Sequence, residues 1–479
     1  MCGLVGISFK GAHANAAEVA VNLLLRLQHR GQDGAGVTVL GQDKKLQSVR
    51  GLGLVPNALR DWGSLDESHS AVAHTRYATT GRGGISEIQP FIKGAPRIAL
   101  AHNGNIVNTA ELKRKYNLVT DSESDLDVIQ QVLLSHWDRG EKGFLNGVQE
   151  ILNEFNGAYG VVGLEETGRL FAFRDPFGIR PLFYGQNDDI FVVASETCAL
   201  SPFPKMQIEE ILPGEALQFD GKSLQKHRLF SKINATRKKS FCMFESVYFS
   251  SSQSEVDKKS VFSLRFKMGQ ELALNIQASL GAQGPEDIFD YVVPVPETAR
   301  VAAIAVAEAL RVPYREYLVK NPYVPRTFIL ASQTDRLNAL KTKLSLIGPE
   351  IQGKRILLVD DSVVRGNTSR LMCEQLKNAG AESVALASTC PPIRHGCFYG
   401  IDFPDADELV ASGKDIPEIA KSLGVDSLYY LDIPGLKRAL ESEDLCMACL
   451  NGEYPSYNET FLEFLKSRKE QRGQDETFG

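Results

Sequence analysis

Cys2 directly follows Met1, and its side chain is small enough for the methionine to be removed, leaving the cysteine first in the mature chain. Its α-amine then lies within reach of its own thiol. An α-amine titrates near pH 7.7 to 8, so at neutral pH part of it is unprotonated and can act as a base toward the sulfur. A sulfur nucleophile with a built-in base suits acyl transfer from an amide. A different chemistry is written at Ile356-Leu357-Leu358-Val359, where an apolar strand runs into Asp360 and Asp361. The loop of Ser362, Val363, Val364, Arg365 and Gly366 then opens a helix at Asn367, Thr368 and Ser369. Backbone N–H groups at a helix start, the positive end of its dipole and the Thr368 and Ser369 hydroxyls make a site for a phosphate dianion. Gly366 lets the backbone approach closely. Two adjacent acids at a strand end repel unless hydroxyls or a cation share their charge, and a ribose diol does this. A third group, Cys446-Met447-Ala448-Cys449, has metal-ligand spacing. Cys242 and Cys397 are candidates to complete a tetrathiolate, which holds zinc or an iron–sulfur cluster; spacing does not separate the two.

These residues need a large folded frame, and the composition supplies one. The chain has 479 residues, 43% hydrophobic and 23% charged, with 53 basic against 59 acidic side chains. At roughly 100 to 200 residues per domain that length predicts two to four domains. Disorder and collagen are excluded. No run approaches the 18 apolar residues of a membrane span, since even Val301 to Leu310 contains Glu308. The N-terminus lacks the basic region of a secretory signal, so a cytoplasmic location with reduced cysteines is expected. The mild acidity argues against nucleic acid as a partner.

Local periods divide the sequence near residue 235. Before it, alternating runs at Ser70 to His74, Ile98 to His102, Tyr159 to Leu164, Leu170 to Arg174 and Ile190 to Ala194 predict an antiparallel sheet. Helical patterns at Ala16 to Leu27 and Asp125 to His136 add layers of helix. After Lys239 the order becomes strand, helix, strand. Asp290 to Pro294, Arg355 to Val359 and Ser383 to Ser388 read as strands, with Thr298 to Leu310 and Ser369 to Asn378 as helices. That order predicts a parallel sheet covered on both faces. The expected units are 2–235, 236–457 and a helical tail at 458–479.

Several motifs resemble known families. The Cys2-Gly3-Leu4-Val5-Gly6-Ile7, Leu27-Gln28-His29-Arg30-Gly31-Gln32-Asp33, His74-Thr75-Arg76-Tyr77-Ala78-Thr79 and His102-Asn103-Gly104-Asn105 segments together resemble class II glutamine amidotransferases. Those are N-terminal nucleophile hydrolases, which implies an α+β sandwich of layers αββα. In this reading Arg76 forks a substrate carboxylate with help from Thr79, and Asp125 holds the substrate ammonium. Asn103 and the Gly104 amide form an oxyanion hole. Asp127 stands where the family usually has Glu. His74 and His102 are read as packing or orienting groups, because the amine already serves as base. The segment from 356 to 369 resembles the signature of type I phosphoribosyltransferases. That likeness implies that Asp360 and Asp361 face ribose hydroxyls and that the stretch from Arg365 to Ser369 takes the 5′-phosphate, with Ser362 also in the phosphoribosyl diphosphate site.

Over essentially its whole length the chain resembles the glutamine phosphoribosylpyrophosphate amidotransferases, in the subgroup that carries a [4Fe-4S] cluster. The resemblance implies cluster ligation by Cys242, Cys397, Cys446 and Cys449, while Cys198, Cys373 and Cys390 are read as core thiols. It implies Mg²⁺ bound with the diphosphate near Asp360 and Asp361, purine nucleotides as inhibitors, and a homotetramer. The segment from Lys320 through Lys343 matches the family's active-site loop, with Pro322 and Pro325 where relatives commonly have Arg and Gly. Ser251-Ser252-Gln253 replaces a usual Arg-Pro-Asp. Two rivals are weighed. Another glutamine-dependent enzyme sharing only the first half is disfavoured by Val359-Asp360-Asp361-Ser362. A noncatalytic regulator binding phosphoribosyl diphosphate is disfavoured by the intact Cys2, Arg76, Asn103, Gly104 and Asp125.

Overall fold

The computed structural model describes residues 1–11, 15–77, 84–120, 122, 124–137, 141–229, 239–321, 344–403 and 406–456. The first half is a sandwich of two antiparallel sheets, of seven and six strands. Strand Gly3–Phe9 lies inside the first sheet, between Ile190–Ala194 and Ser70–Arg76. Its alternation sorts the core, as a pleated strand buried on both faces must. Val5 and Ile7 face helix Ala16–Arg26, and Leu4 faces the second sheet. Gly6 permits that approach, since a Cβ there would lie 2.5 Å from Val162 Cγ1. In the second sheet, strand Ile98–Ile106 runs between Phe91–Lys93 and Gly157–Glu165. Helices Asp125–Trp137 and Glu141–Glu154 cover its outer face through Val128, Val132, Phe144 and Val148. The layers are therefore helix, sheet, sheet, helix.

The second half holds a four-stranded parallel sheet in the order Tyr291–Pro294, Arg355–Asp360, Ser383–Ser388 and Ser427–Tyr430. Period two again sets the faces. Leu357, Val359, Ala385 and Ala387 meet helices Val261–Leu280 and Arg300–Leu310, whereas Ile356, Leu358, Val384 and Leu386 meet helix Asn367–Asn378. Two further short strands, Phe241–Cys242 and Leu445–Cys446, pair in parallel and bring the two ends of this half together.

The expected elements within the described residues are present; Leu170–Arg174, Ile190–Ala194 and Ser383–Ser388 fall as expected, and Tyr291–Pro294 starts one residue later. Ser70–Arg76 and Ile98–Ile106 extend through the polar residues that the sequence reading left outside them. The helices with no counterpart in that reading include Thr109–Lys115, Glu141–Glu154, Val261–Leu280, Ile416–Leu423 and Ile433–Leu440. The expected boundary near 235 and the tail from 458 lie outside the described residues. No described helix is long and apolar enough to cross a membrane.

Candidate active sites

Cys2 sits at the head of strand Gly3–Phe9 and is gripped at both of its backbone ends. Its N–H donates to Asn103 Oδ1 at 3.0 Å, and its carbonyl accepts from Arg30 Nε at 3.0 Å. Gly3 N donates to Thr75 Oγ1 at 3.1 Å, which fixes the strand start against Ser70–Arg76. The Cys2 side chain is half-buried, its sulfur 3.9 Å from the Tyr77 carbonyl. Asn103 is buried, and its Nδ2 has no hydrogen-bond partner among the described residues. A buried donor left unmade is unfavourable by about 1–3 kcal/mol, which is what a site does when the donor awaits a charge that forms only during reaction. Gly104 is at φ +150, where a Cβ would meet the Ala158 carbonyl at 1.8 Å, so only glycine fits there.

Asp125 opens helix Asp125–Trp137, and its Oδ2 accepts from Ile106 N at 2.9 Å. His102 Nε2 lies 3.1 Å from Asp125 Oδ1, and Gln89 contacts both the His102 N–H and Nδ1. Burial alone would lift the Asp125 carboxyl, but the facing His102 and two backbone N–H groups hold it below its ordinary value, so it carries a negative charge. His102 is thus an orienting group. His74 is fully buried, and burial together with His102 and Arg76 pushes its imidazole well down. It is neutral and no candidate for a base. Arg76, also buried, pairs with Glu87, so an incoming carboxylate must share or displace that partner. Asp127 is fully buried and pairs with Lys93 at 2.8 Å. Thr79 lies outside the described residues.

At the other site, Asp360 ends its strand and Asp361 follows, both at most 9% exposed. Asp361 N donates to Asp360 Oδ1 at 2.8 Å, and Ser362 Oγ donates to Asp361 Oδ1 at 2.7 Å. Burial, then the adjacent Asp361, pushes Asp360 well up, against the pull of Asp361 N–H and Ser369. Burial also pushes Asp361 up to about 6, opposed by Ser362 and by Arg265. A pair held this far up gains most from a cationic or hydroxyl-bearing ligand. Gly366 caps helix Asn367–Asn378 at φ +77 without a side-chain hydrogen bond, leaving the first-turn amides of Asn367, Thr368 and Ser369 for an anion. Arg365 is turned aside, its Nε 2.9 Å from Glu408 Oε2. Lys320 ends strand Leu318–Lys320. Lys343, Pro322 and Pro325 lie outside the described residues.

The four cysteines of the metal reading are each 5–8% exposed and share one apolar cluster. Cys242 and Cys446 are register partners, and Tyr399 N donates to Cys397 Sγ at 3.4 Å. They do not close on a point, since among the described residues no three His, Cys, Asp or Glu side chains are placed to hold one metal ion. Arg180 is fully buried in the field of Cys242, Cys397 and Cys446, and its Nε and Nη2 have no hydrogen-bond partner among the described residues. Cys198, Cys373 and Cys390 are buried, as core thiols should be. The Cys397 segment also backs the first site. Asn105 Nδ2 donates to the Phe398 carbonyl at 2.8 Å, and a Cβ at Gly400 would stand 2.9 Å from the Gly104 carbonyl carbon.

Sequence reasoning gave no role to Arg30, Glu196, Glu245 or Arg265, all buried. Arg30 pairs with Glu196 at 2.5 Å and with Glu245 at 2.9 Å. Arg265 donates to the Ser246, Tyr248 and Ser250 carbonyls and to Ser252 Oγ. Glu196 accepts from Ser251 N and Ser254 Oγ. The Ser251-Ser252 departure therefore sits between Glu196 and Arg265 rather than in solvent. The only signal was a lone charge inside an apolar motif, as at Phe241-Cys242-Met243-Phe244-Glu245.

Residues 74–202 match the model of a glutamine amidotransferase domain, and residues 268–402 that of a phosphoribosyl transferase domain. An amidophosphoribosyltransferase of Methanocaldococcus jannaschii is 36% identical over 474 residues, covering 95% of this chain and 98% of that protein. One of Bacillus subtilis is 36% identical over 481 residues, covering 97% and 96%. A solved structure of the B. subtilis glutamine phosphoribosylpyrophosphate amidotransferase, complexed with ADP and GMP, superposes with a TM-score of 0.83 at 34% identity, over 97% of this chain and 100% of that one.

Proposed function

The chain belongs to the amidophosphoribosyltransferase family, so its reaction is the first committed step of de novo purine biosynthesis, and we propose how its residues divide the work. Once Met1 is removed, the α-amine of Cys2 takes the thiol proton and the sulfur attacks the side-chain amide of glutamine. Asn103 Nδ2 and the Gly104 amide receive the oxyanion. Ammonia leaves, and water hydrolyses the glutamyl thioester to glutamate. Arg76 and Thr79 take the substrate carboxylate and Asp125 its ammonium. Ammonia passes internally to the second half, which keeps it unprotonated and at high effective concentration. There it attacks C1 of phosphoribosyl diphosphate, giving 5-phosphoribosylamine and diphosphate. Asp360 and Asp361 face the ribose and the positive charge that develops on it. The stretch from Arg365 to Ser369 takes the 5′-phosphate with Ser362 beside it, and Lys320 and Lys343 serve the diphosphate. Asp360 and Asp361 would face any Mg²⁺ that binds with the substrate, and bound there it would supply charge neutralisation for the diphosphate.

The observation that carries this reading is the double use of Asn103, whose Oδ1 holds Cys2 N while its buried Nδ2 stays unpartnered. A regulator without catalysis would have no reason to keep such a donor unmade. We read the cysteine set as the ligands of a [4Fe-4S] cluster, as the family resemblance implies. The four thiols are buried in one apolar cluster, and the buried Arg180, which shares its Nη1 with Glu245, lies in the field of Cys242, Cys397 and Cys446 and supplies positive charge toward an anionic group. When bound, such a cluster would join the two ends of the second half. Purine nucleotides as inhibitors, a homotetramer and a cytoplasmic location complete the proposal. ADP and GMP in the B. subtilis structure support the first of these. The test is a pair of variants. Cys2→Ser should abolish glutamine-dependent synthesis and leave ammonia-dependent synthesis intact, whereas Asp361→Asn should remove both. Glutaminase activity in Cys2→Ser, or wild-type ammonia-dependent turnover in Asp361→Asn, would overturn it.

A further inference from the structure

Arg30 is fully buried and its guanidinium is engaged on three sides. Its two terminal nitrogens grip Glu245 as a fork, Nη1 to Oε2 at 3.0 Å and Nη2 to Oε1 at 2.9 Å. Nη1 also meets Glu196, and Nε donates to the Cys2 carbonyl at 3.0 Å. A guanidinium is planar and rigid, so a bidentate carboxylate fixes the direction in which Nε points. The residue that fixes it belongs to the other half of the protein. Glu245, fully buried, opens a five-residue π-helical turn, Glu245–Phe249, a rare local structure that recurs at functional sites. Its carboxylate is itself aimed by Ser250 Oγ at 3.2 Å and Arg180 Nη1 at 3.3 Å.

We propose that Glu245 is a positioning residue for the Cys2 nucleophile, acting through Arg30 across the boundary between the halves. Cys2 is held at its nitrogen by Asn103 from its own half and at its carbonyl by Arg30, whose orientation the second half sets. Glu196 of the first half holds Arg30 at one nitrogen, and docking of the phosphoribosyl-binding half adds the Glu245 fork that completes the placement of the thiol. Glutamine is not spent by a first half standing alone. This inference rests on the glutaminase reading of Cys2.

The test is Glu245→Gln in the full-length enzyme. The amide nitrogen of glutamine would confront a guanidinium N–H, so the fork is lost while shape and volume are kept. A displacement of about 1 Å at a reacting atom is worth on the order of 100-fold in rate. We expect kcat for glutamine-dependent synthesis to fall roughly 10- to 100-fold, with KM for glutamine within about twofold because Arg76 and Asp125 are untouched. Ammonia-dependent synthesis should stay within about threefold, and iodoacetamide should alkylate Cys2 more slowly. Unchanged glutamine-dependent kcat overturns the proposal, as does a parallel fall of both activities. Should Glu245→Gln fail to fold, Arg30→Lys serves instead, since it keeps the charge but cannot both hold Glu245 and reach the Cys2 carbonyl. The same split is expected and the same outcomes refute it. If Cys2→Ser still hydrolyses glutamine, the glutaminase reading fails; if Cys2→Ser is inactive and Glu245→Gln is normal, only this inference fails.

Discussion

Replacing Asn103 should separate catalysis from stability, because its two side-chain atoms work in opposite senses. In Asn103→Ala the unmade Nδ2 donor disappears, relieving a penalty of about 1–3 kcal/mol. The bond from Oδ1 to Cys2 N disappears too, a loss of about 0.5–1.5 kcal/mol. The two nearly cancel, so the folded state should change by no more than about 1–2 kcal/mol. Catalysis has no such offset. An oxyanion donor in a buried site contributes about 2.7–4 kcal/mol to the transition state, which is roughly 100- to 1,000-fold in kcat. Asn103→Asp sharpens the comparison, since it keeps an acceptor for Cys2 N and puts an anion where the oxyanion forms. Steady-state synthesis with glutamine and with ammonia, beside a thermal melt, measures all three quantities. The expected pattern is a fall of at least about 100-fold with glutamine in both variants, unchanged ammonia-dependent synthesis, and a small shift of the Asn103→Ala melt. A glutamine-dependent kcat within tenfold of wild type would refute the oxyanion role, and a collapse of the Asn103→Ala melt would refute the cancellation.

Other outcomes follow from the same geometry. Asp361 is pushed up to about 6 in the fold, so an unfolded chain with an ordinary carboxylate releases its proton first, and the ligand-free protein should lose stability as pH rises from about 4 to 6. Asp361's share of the loss is about 3 kcal/mol at most, at 1.36 kcal/mol per unit, and denaturant melts at pH 4 and 7 should show a smaller difference in Asp361→Asn, where Asp360 alone is left to titrate, than in wild type. Protein purified without oxygen should be brown with about four iron per chain; colourless protein with stoichiometric zinc would refute the cluster, and Cys449→Ser should give poorly soluble chain. Restoring the family's tripeptide by Ser251→Arg, Ser252→Pro and Gln253→Asp should strengthen or redirect inhibition by AMP and GMP, because Ser251 and Ser252 lie between Glu196 and Arg265. Unchanged inhibition curves would dissociate these positions from nucleotide control.

Both sites were legible where the chemistry is local. The Asp360-Asp361 strand end, the Gly366 cap and the Cys2 terminus each announce themselves within a few residues, because a helix start or a vicinal amine needs no distant partner. Element lengths were less legible at the sites. Strand Ile98–Ile106 was read as ending at His102 because His102-Asn103-Gly104-Asn105 breaks the apolar alternation, yet those polar residues are in the strand because the site needs them on rigid backbone. Helix Val261–Leu280 escaped for the converse reason. Its buried face runs Val261, Leu264, Met268, Leu272 and Ile276, but Arg265 is buried among them while Phe262 and Leu274 are exposed, and the stripe is blurred. The Arg30–Glu245 pair spans 215 positions, and no local pattern reports a partner that far away.

The contact of Gly400 on Gly104 bears on how such a protein can change over generations. Both positions have positive φ, and a methyl group on Gly400 would stand 3.2 Å from the Gly104 Cα and closer still to its carbonyl. Gly400 is thus answerable to a backbone almost 300 positions away, while Gly104 is held by the neighbouring strand at Ala158. A recombination that joined this first half to the second half of a distant relative would need to match that seam to a few tenths of an ångström, or the new partner would tilt the strand that presents Asn103. The halves look like interchangeable cassettes in their topology, yet inheritance must carry them as one lineage, with neutral drift on one face of the seam licensed only by what the other face already is.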